Sequence, residues 1–108
     1  MYDMIIIGAG PAGISAAIYG KSRGRKVLVL EKNQVGGLIG AVSTVTHYTA
    51  VMKEESGRTF AGRMKEQALS AGAEIRYERV TEVKLAGEIK RVVTEKEGYE
   101  GKTVILAN

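Results

Sequence analysis

Few residues of this chain have the chemistry for acid-base, nucleophilic or redox work, but one short group has the spacing to bind an anion. Cysteine is absent, which removes a thiolate nucleophile, a disulfide and a cysteine metal site. His47 is the sole histidine, no acid or nucleophile is spaced to work with it, and it reads as a surface residue of a loop. Any redox chemistry served by these residues must therefore run on a bound cofactor. The spaced group is Gly8-Ala9-Gly10-Pro11-Ala12-Gly13, a G-x-G-x-x-G pattern, with the acid Glu31 further on.

Taken alone the pattern is weak, because glycines gather in turns for many reasons; its context gives it meaning. Met4 to Ile7 is a short continuous apolar run that predicts a strand buried on both faces of a parallel sheet. Pro11 suits the first position of a helix, where its missing N–H costs nothing, and the spacing of Ile14, Ala17 and Ile18 predicts that helix to about Arg23. Gly24 is its stop, Val27 to Leu30 is a second buried strand, and Glu31 stands at that strand's end.

In such a strand-turn-helix-strand unit each residue has a physical task. Gly8 permits the tight turn, Gly10 lets a pyrophosphate approach the backbone, and Gly13 lets the helix pack closely on the sheet. Pro11 and Ala12 open a helix whose unpaired N–H groups and positive dipole end attract the pyrophosphate without a basic side chain. Glu31 can accept hydrogen bonds from a ribose 2′-hydroxyl and would repel a 2′-phosphate, and Lys32, next in the chain, is counted with the same contacts. These residues predict FAD or NAD ahead of NADP, and do not choose between the two. The alternative is a glycine-rich turn that only shapes the sheet, with Glu31 a solvated acid.

The rest of the chain supplies the surrounding elements. Residues 33–56 have Gly36, Gly37 and Gly40 and no sustained period, a connection longer than most in a compact domain. Phe60, Met64, Ala68 and Leu69 recur at helical spacing, with Gly72 as the stop and Ala73 to Tyr77 as a third strand. Three β-rich runs follow, "RVTEVKLA", "EIKRVVTEK" and "GYEGKTVIL", separated by Gly87 and Gly98, which predicts an antiparallel meander. Its last piece, Thr103 to Ala107, reads as another buried strand.

Composition agrees with a single packed domain: 108 residues, 44% of them apolar and 26% charged, exclude a disordered or fibrous chain. The net charge of +4 suits an anionic ligand without implying nucleic acid. Its densest cluster, Lys21, Arg23, Arg25 and Lys26, falls where the first helix ends and is explained by the helix dipole. No apolar stretch approaches the ~20 residues of a membrane span, and the N-terminus lacks signal-peptide features, so a cytoplasmic protein without a membrane partner is expected.

Several segments in order, "IIIGAGPAGISAAIY", "VLVLEK", "VGGLIG", "RMKEQALSAGAEI", "YERVTEV" and "VILA", resemble the FAD domain of the thioredoxin reductase-like flavoproteins, within the pyridine nucleotide-disulfide oxidoreductase group. The resemblance implies an α/β, Rossmann-like FAD-binding domain with a parallel sheet and a small antiparallel meander, and FAD as the nucleotide. It implies that Gly36, Gly37 and Leu38 lie along the flavin side, that Val80 offers backbone hydrogen bonds to adenine, and that Tyr48 either stacks near the flavin or anchors its loop. The sequence departs from the family at Leu38, where a glutamine is usual, and at His47-Tyr48-Thr49-Ala50, where Asn-Tyr-Pro-Gly is usual.

The family's second dinucleotide motif, its redox cysteine pair and its closing Gly-Asp segment have no counterpart here. The expectation is therefore a truncated, N-terminal FAD-binding portion of a longer flavoprotein, whose remaining C-terminal part is its partner and which cannot by itself reduce a disulfide. An edge left by truncation would also allow pairing with a second copy as a homodimer. The alternatives are a relative that uses ferredoxin or a non-disulfide acceptor, a non-catalytic module for NAD or an adenylate, and a structural piece without a ligand.

Overall fold

The computed structural model describes residues 1–32 and 57–107. Its elements in chain order are β1 (Tyr2–Ile7), α1 (Pro11–Ser22), β2 (Val27–Leu30), α2 (Gly57–Ser70), β3 (Glu74–Arg76), β4 (Val80–Lys84), β5 (Lys90–Thr94) and β6 (Gly98–Leu106). Six strands form one mixed sheet in the order β3-β2-β1-β6-β5-β4. The first four pair in parallel, and β4, β5 and the start of β6 pair antiparallel.

Strand alternation divides the apolar side chains between two layers. Ile6, Val27 and Val29 point to one face and pack with Ala9, Ile14 and Ala17 around α1 and with Phe60, Met64 and Ala68 of α2. Ile5, Ile7, Leu28 and Leu30 point to the other, where Val92 and Tyr99 of the meander cover them. With both faces covered, Val27–Leu30 is buried at every position, which is why it reads as an unbroken apolar run.

Both helices end by one device. Gly24 and Gly72 take positive φ, 74° and 94°, a conformation that glycine adopts without a Cβ penalty. Arg25 N–H then reaches Gly20 O and Gly24 N–H reaches Lys21 O; Ala73 and Gly72 repeat the pattern on Ala68 and Leu69. This pair of bonds satisfies the last free carbonyls of each helix.

Three sequence expectations are corrected. The third strand is shorter than Ala73 to Tyr77, because Ala73 spends its N–H on the cap of α2. The turn before β6 is made by the Thr94 hydroxyl, which accepts the N–H groups of Lys96 and Glu97 at 3.1 Å each, while Gly98 already belongs to the strand. Thr103 to Ala107 is not a separate buried strand: β6 is continuous, antiparallel to β5 up to Gly101 and parallel to β1 from there. Its end is only partly covered, and Leu106 is 61% exposed. At the changeover a Cβ on Gly101 would stand 3.0 Å from the Ile5 side chain.

Of the basic cluster, only Lys21 lies in the last turn of α1. Arg23 instead donates to the Tyr19 hydroxyl at 2.7 Å and lies over that ring, and Lys26 lies over the Tyr2 ring. Among the described residues no helix is long and apolar enough to cross a membrane.

Candidate functional site: a glycine turn at the rim of the parallel sheet

The C-terminal ends of β1, β2 and β3 form one rim, and the chain crosses from β1 towards β2 on one side and lies beside β6 on the other. In open α/β sheets such a reversal of strand order opens a crevice where ligands bind. The glycine turn stands there. Gly8 takes φ 108°, and its N–H bonds to Leu30 O at 2.9 Å, so the turn leaves β1 still attached to β2. Ala9 is fully buried and donates its N–H to Glu31 Oε1 at 2.8 Å. Glu31, 8% exposed, is held at its own N–H by Arg76 O at 3.0 Å.

The second and third glycines are required for opposite reasons. A Cβ on Gly13 would lie 2.0 Å from the Gly8 carbonyl oxygen and 3.4 Å from Ala107 Cβ, so only glycine lets α1 seat against the turn. At Gly10 a Cβ would meet nothing within 4 Å, and its φ of −75° is open to any residue. Among the described residues neither strain nor packing requires glycine at this position, and the missing side chain leaves room for an occupant to approach the backbone from outside.

Gly10 is also the N-cap of α1 and has no side chain to cap it, Pro11 follows at the first helical position, and the first turn carries no acid. The first intrahelical bond runs from Ile14 N–H to Gly10 O at 3.0 Å. The N–H groups of Ala12 and Gly13 precede that bond and belong to the helix's unsatisfied donors, directed with its dipole at the open side of Gly10. The arrangement fits a pyrophosphate: it provides backbone donors, a positive dipole end and room for an oxyanion, with the Glu31 carboxylate beside it for a hydroxyl donor.

Of the other candidates, Lys32 is exposed at the end of β2, and Val80 opens β4 half-buried, paired with Thr94. Gly36, Gly37, Leu38, His47 and Tyr48 lie outside the described residues. The structure thus brings Gly8, Gly10, Pro11, Ala12, Gly13 and Glu31 into one turn.

Sequence reasoning missed two parts of this rim. Ala107, whose N–H bonds to Ile7 O at 2.8 Å, completes the seat of Gly13. Beside the rim, the Glu78 carboxylate, 6% exposed, accepts Tyr99 Oη on both oxygens at 2.8 and 2.7 Å and Thr94 Oγ1 at 2.7 Å. Burial opposes its ionisation, yet these donors, with Arg76 and Lys96 nearby, hold its pKa below the ordinary glutamate value. Arg76 links this group to a second one: its Nη1 reaches Tyr99 Oη at 3.3 Å, its Nε donates to Glu74 at 2.6 Å, and Glu74 accepts the Tyr2 hydroxyl at 2.8 Å. Apart from Arg76 and Glu74, two residues apart on β3, these partners are separated by 16 to 72 residues and leave no local sequence signal.

A parallel sheet with a glycine turn at its strand-order reversal, a helix aimed across that turn and an acid on the neighbouring strand define a Rossmann-like α/β domain. The chain belongs to the pyridine nucleotide-disulphide oxidoreductase family, whose model matches residues 2–108. It is 41% identical over 107 residues to the thioredoxin reductase of Peptoclostridium acidaminophilum, covering 99% of this chain and 34% of that protein. Among solved structures it resembles the thioredoxin reductase of Streptococcus pyogenes, with a TM-score of 0.94 and 35% identity over 100% of this chain and 35% of that one. It also resembles a ferredoxin-flavin thioredoxin reductase from Clostridium acetobutylicum, with a TM-score of 0.88 and 28% identity over 97% of this chain and 36% of that one. The chain spans about a third of the length of the curated relatives it matches.

Proposed function

We propose that these residues are the FAD-binding part of a thioredoxin reductase-like oxidoreductase, which in its intact form passes electrons from NAD(P)H to a disulfide. The observation that carries the nucleotide site is Gly10: among the described residues nothing stands within 4 Å of where its side chain would be, which leaves the N-terminus of α1 approachable there. Gly8, Gly10, Pro11, Ala12 and Gly13 then hold the pyrophosphate, and Glu31, with Lys32 beside it, the adenosine ribose. The backbone at Val80 meets the adenine. Gly36, Gly37, Leu38 and Tyr48 carry the cofactor towards its flavin end.

The bound flavin supplies the electron transfer, and this chain's part is to bind and orient it. Lacking cysteine, these residues have no dithiol to receive the electrons, so the remaining C-terminal part of the flavoprotein supplies the acceptor, the nicotinamide site and the rest of the flavin wall. A cytoplasmic location accords with this reading.

The test is a comparison of FAD, NAD and ADP as stabilising ligands of the purified chain, with the visible spectrum recorded alongside. Stabilisation by FAD and ADP with a two-band flavin spectrum is expected. Protection by NAD without protection by FAD rejects the assignment. A ferredoxin-linked donor is the second reading, favoured by the likeness to the Clostridium acetobutylicum structure and by Leu38 and His47 to Ala50 standing where the family pattern changes. Reduction of the intact protein by ferredoxin but not by NADPH would select it.

A further inference from the structure

The link between β3 and β4, Tyr77 to Arg79, turns at the same rim as the glycine turn, because Arg76 pairs with Leu30 and its carbonyl accepts the Glu31 N–H. Little regular pairing fixes this link: Arg79 O accepts Glu95 N–H at 3.0 Å, and regular strand pairing resumes only at Val80. What fixes it from within is the Glu78 carboxylate, buried behind the link and bound by two hydroxyls from β5 and β6. An apolar side chain would fill such a position with no charge to desolvate, so a buried, fully bonded acid contributes less to stability than to a defined position.

We propose that Glu78, clamped by Tyr99 and Thr94, is a positioning residue for the adenine end of the dinucleotide. By fixing where the chain passes from Tyr77 to Val80, it sets the backbone N–H and C=O at Val80 at the height where adenine meets them. Adenine presents an acceptor at N1 beside a donor at N6, whereas hypoxanthine presents a donor beside an acceptor, so a correctly held peptide edge selects the first. This inference rests on the FAD reading above, and on no residue of the glycine turn.

The experiment measures ADP and inosine diphosphate affinities by titration calorimetry for the wild-type chain, Tyr99→Phe, Thr94→Val and the conservative control Thr94→Ser. Tyr99→Phe keeps the buried ring and removes the hydroxyl, and circular dichroism verifies that each variant is folded. In Tyr99→Phe and Thr94→Val, ADP affinity is expected to fall roughly tenfold, about one hydrogen bond's worth, with inosine diphosphate binding unchanged. Thr94→Ser should keep the wild-type preference. Equal losses for both nucleotides, or an unchanged ratio, overturn the inference by reducing the clamp to a structural role. A wild-type chain that binds neither ADP nor FAD overturns the FAD reading itself, a failure visible before any variant is made, and this inference with it.

Discussion

The Glu31 carboxylate accepts the backbone N–H of Ala9 at 2.8 Å, joining the end of β2 to the centre of the glycine turn across 22 residues. The acid proposed to receive a ribose hydroxyl is therefore also a strut of the turn proposed to receive the pyrophosphate. The two tasks separate by substitution. Glu31→Ala leaves the buried Ala9 N–H without this acceptor and should lower the unfolding free energy by about 1–3 kcal/mol, whereas Glu31→Gln keeps an accepting oxygen and should lose under about 1 kcal/mol. Urea denaturation measures both; equal losses would show that the charge, not the acceptor, holds the turn.

Alanine at the two neighbouring glycines should give opposite results. Gly13→Ala drives a methyl group into the Gly8 carbonyl, 2.0 Å away, and should cost about 3 kcal/mol or more, at the upper end of overpacking. Gly10→Ala meets no atom of the described residues within 4 Å, so stability should stay within about 1 kcal/mol while ADP affinity drops. Undiminished ADP binding by Gly10→Ala would remove the pyrophosphate from this turn.

Two leucines on the strands that flank β1 separate the covered part of the sheet from its open part. Leu28 is fully buried between β1 and the meander, and Leu28→Ala should cost ~2–5 kcal/mol by leaving a cavity. Leu106→Ala, at the exposed end of β6, should change stability by no more than about 0.5 kcal/mol. A large loss at Leu106 in the 108-residue chain would mean that this end is covered in solution.

Stability should fall at both extremes of pH for stated reasons. Glu74 and Glu78 are each opposed by burial but held below the ordinary glutamate value of 4.5, Glu74 by the Tyr2 hydroxyl and the Arg76 guanidinium and Glu78 by the Thr94 and Tyr99 hydroxyls with Arg76 and Lys96 nearby, so their contribution is present above that value and lost as pH falls through the lower folded values. Tyr2 and Tyr99 are pushed up from 10.0 to about 12 by burial and by hydrogen bonds to Glu74 and Glu78. A raised phenol stabilises the fold below its unfolded value and loses that contribution between pH 10 and 12. Denaturation midpoints across pH measure both arms, and Tyr99→Phe should flatten the alkaline one. An alkaline arm unchanged in Tyr99→Phe would assign that loss to other groups.

The fold was legible where neighbouring residues share one environment. Val27 to Leu30 announces its burial because helices cover one side and the meander the other, and Gly24 and Gly72 announce the helix ends because only a positive φ allows those caps. It was misread at Thr103 to Ala107, where an apolar run at the end of β6 lies half open. An apolar run records what a strand can bury, not whether a neighbour has arrived to bury it.

The sequence by itself determined the turn, the helix that follows it and the acid beyond, since glycine spacing, Pro11 and Glu31 act through local geometry. Only the tertiary structure decided which glycine the helix needs and which meets none of the described residues, because Gly10 and Gly13 differ in what stands opposite them and not in their neighbours along the chain. The same holds for Glu78: as a letter it is one acid among twelve acidic residues, and the hydroxyls of Thr94 and Tyr99 that make it a clamp meet it only once β5 and β6 have folded over the sheet.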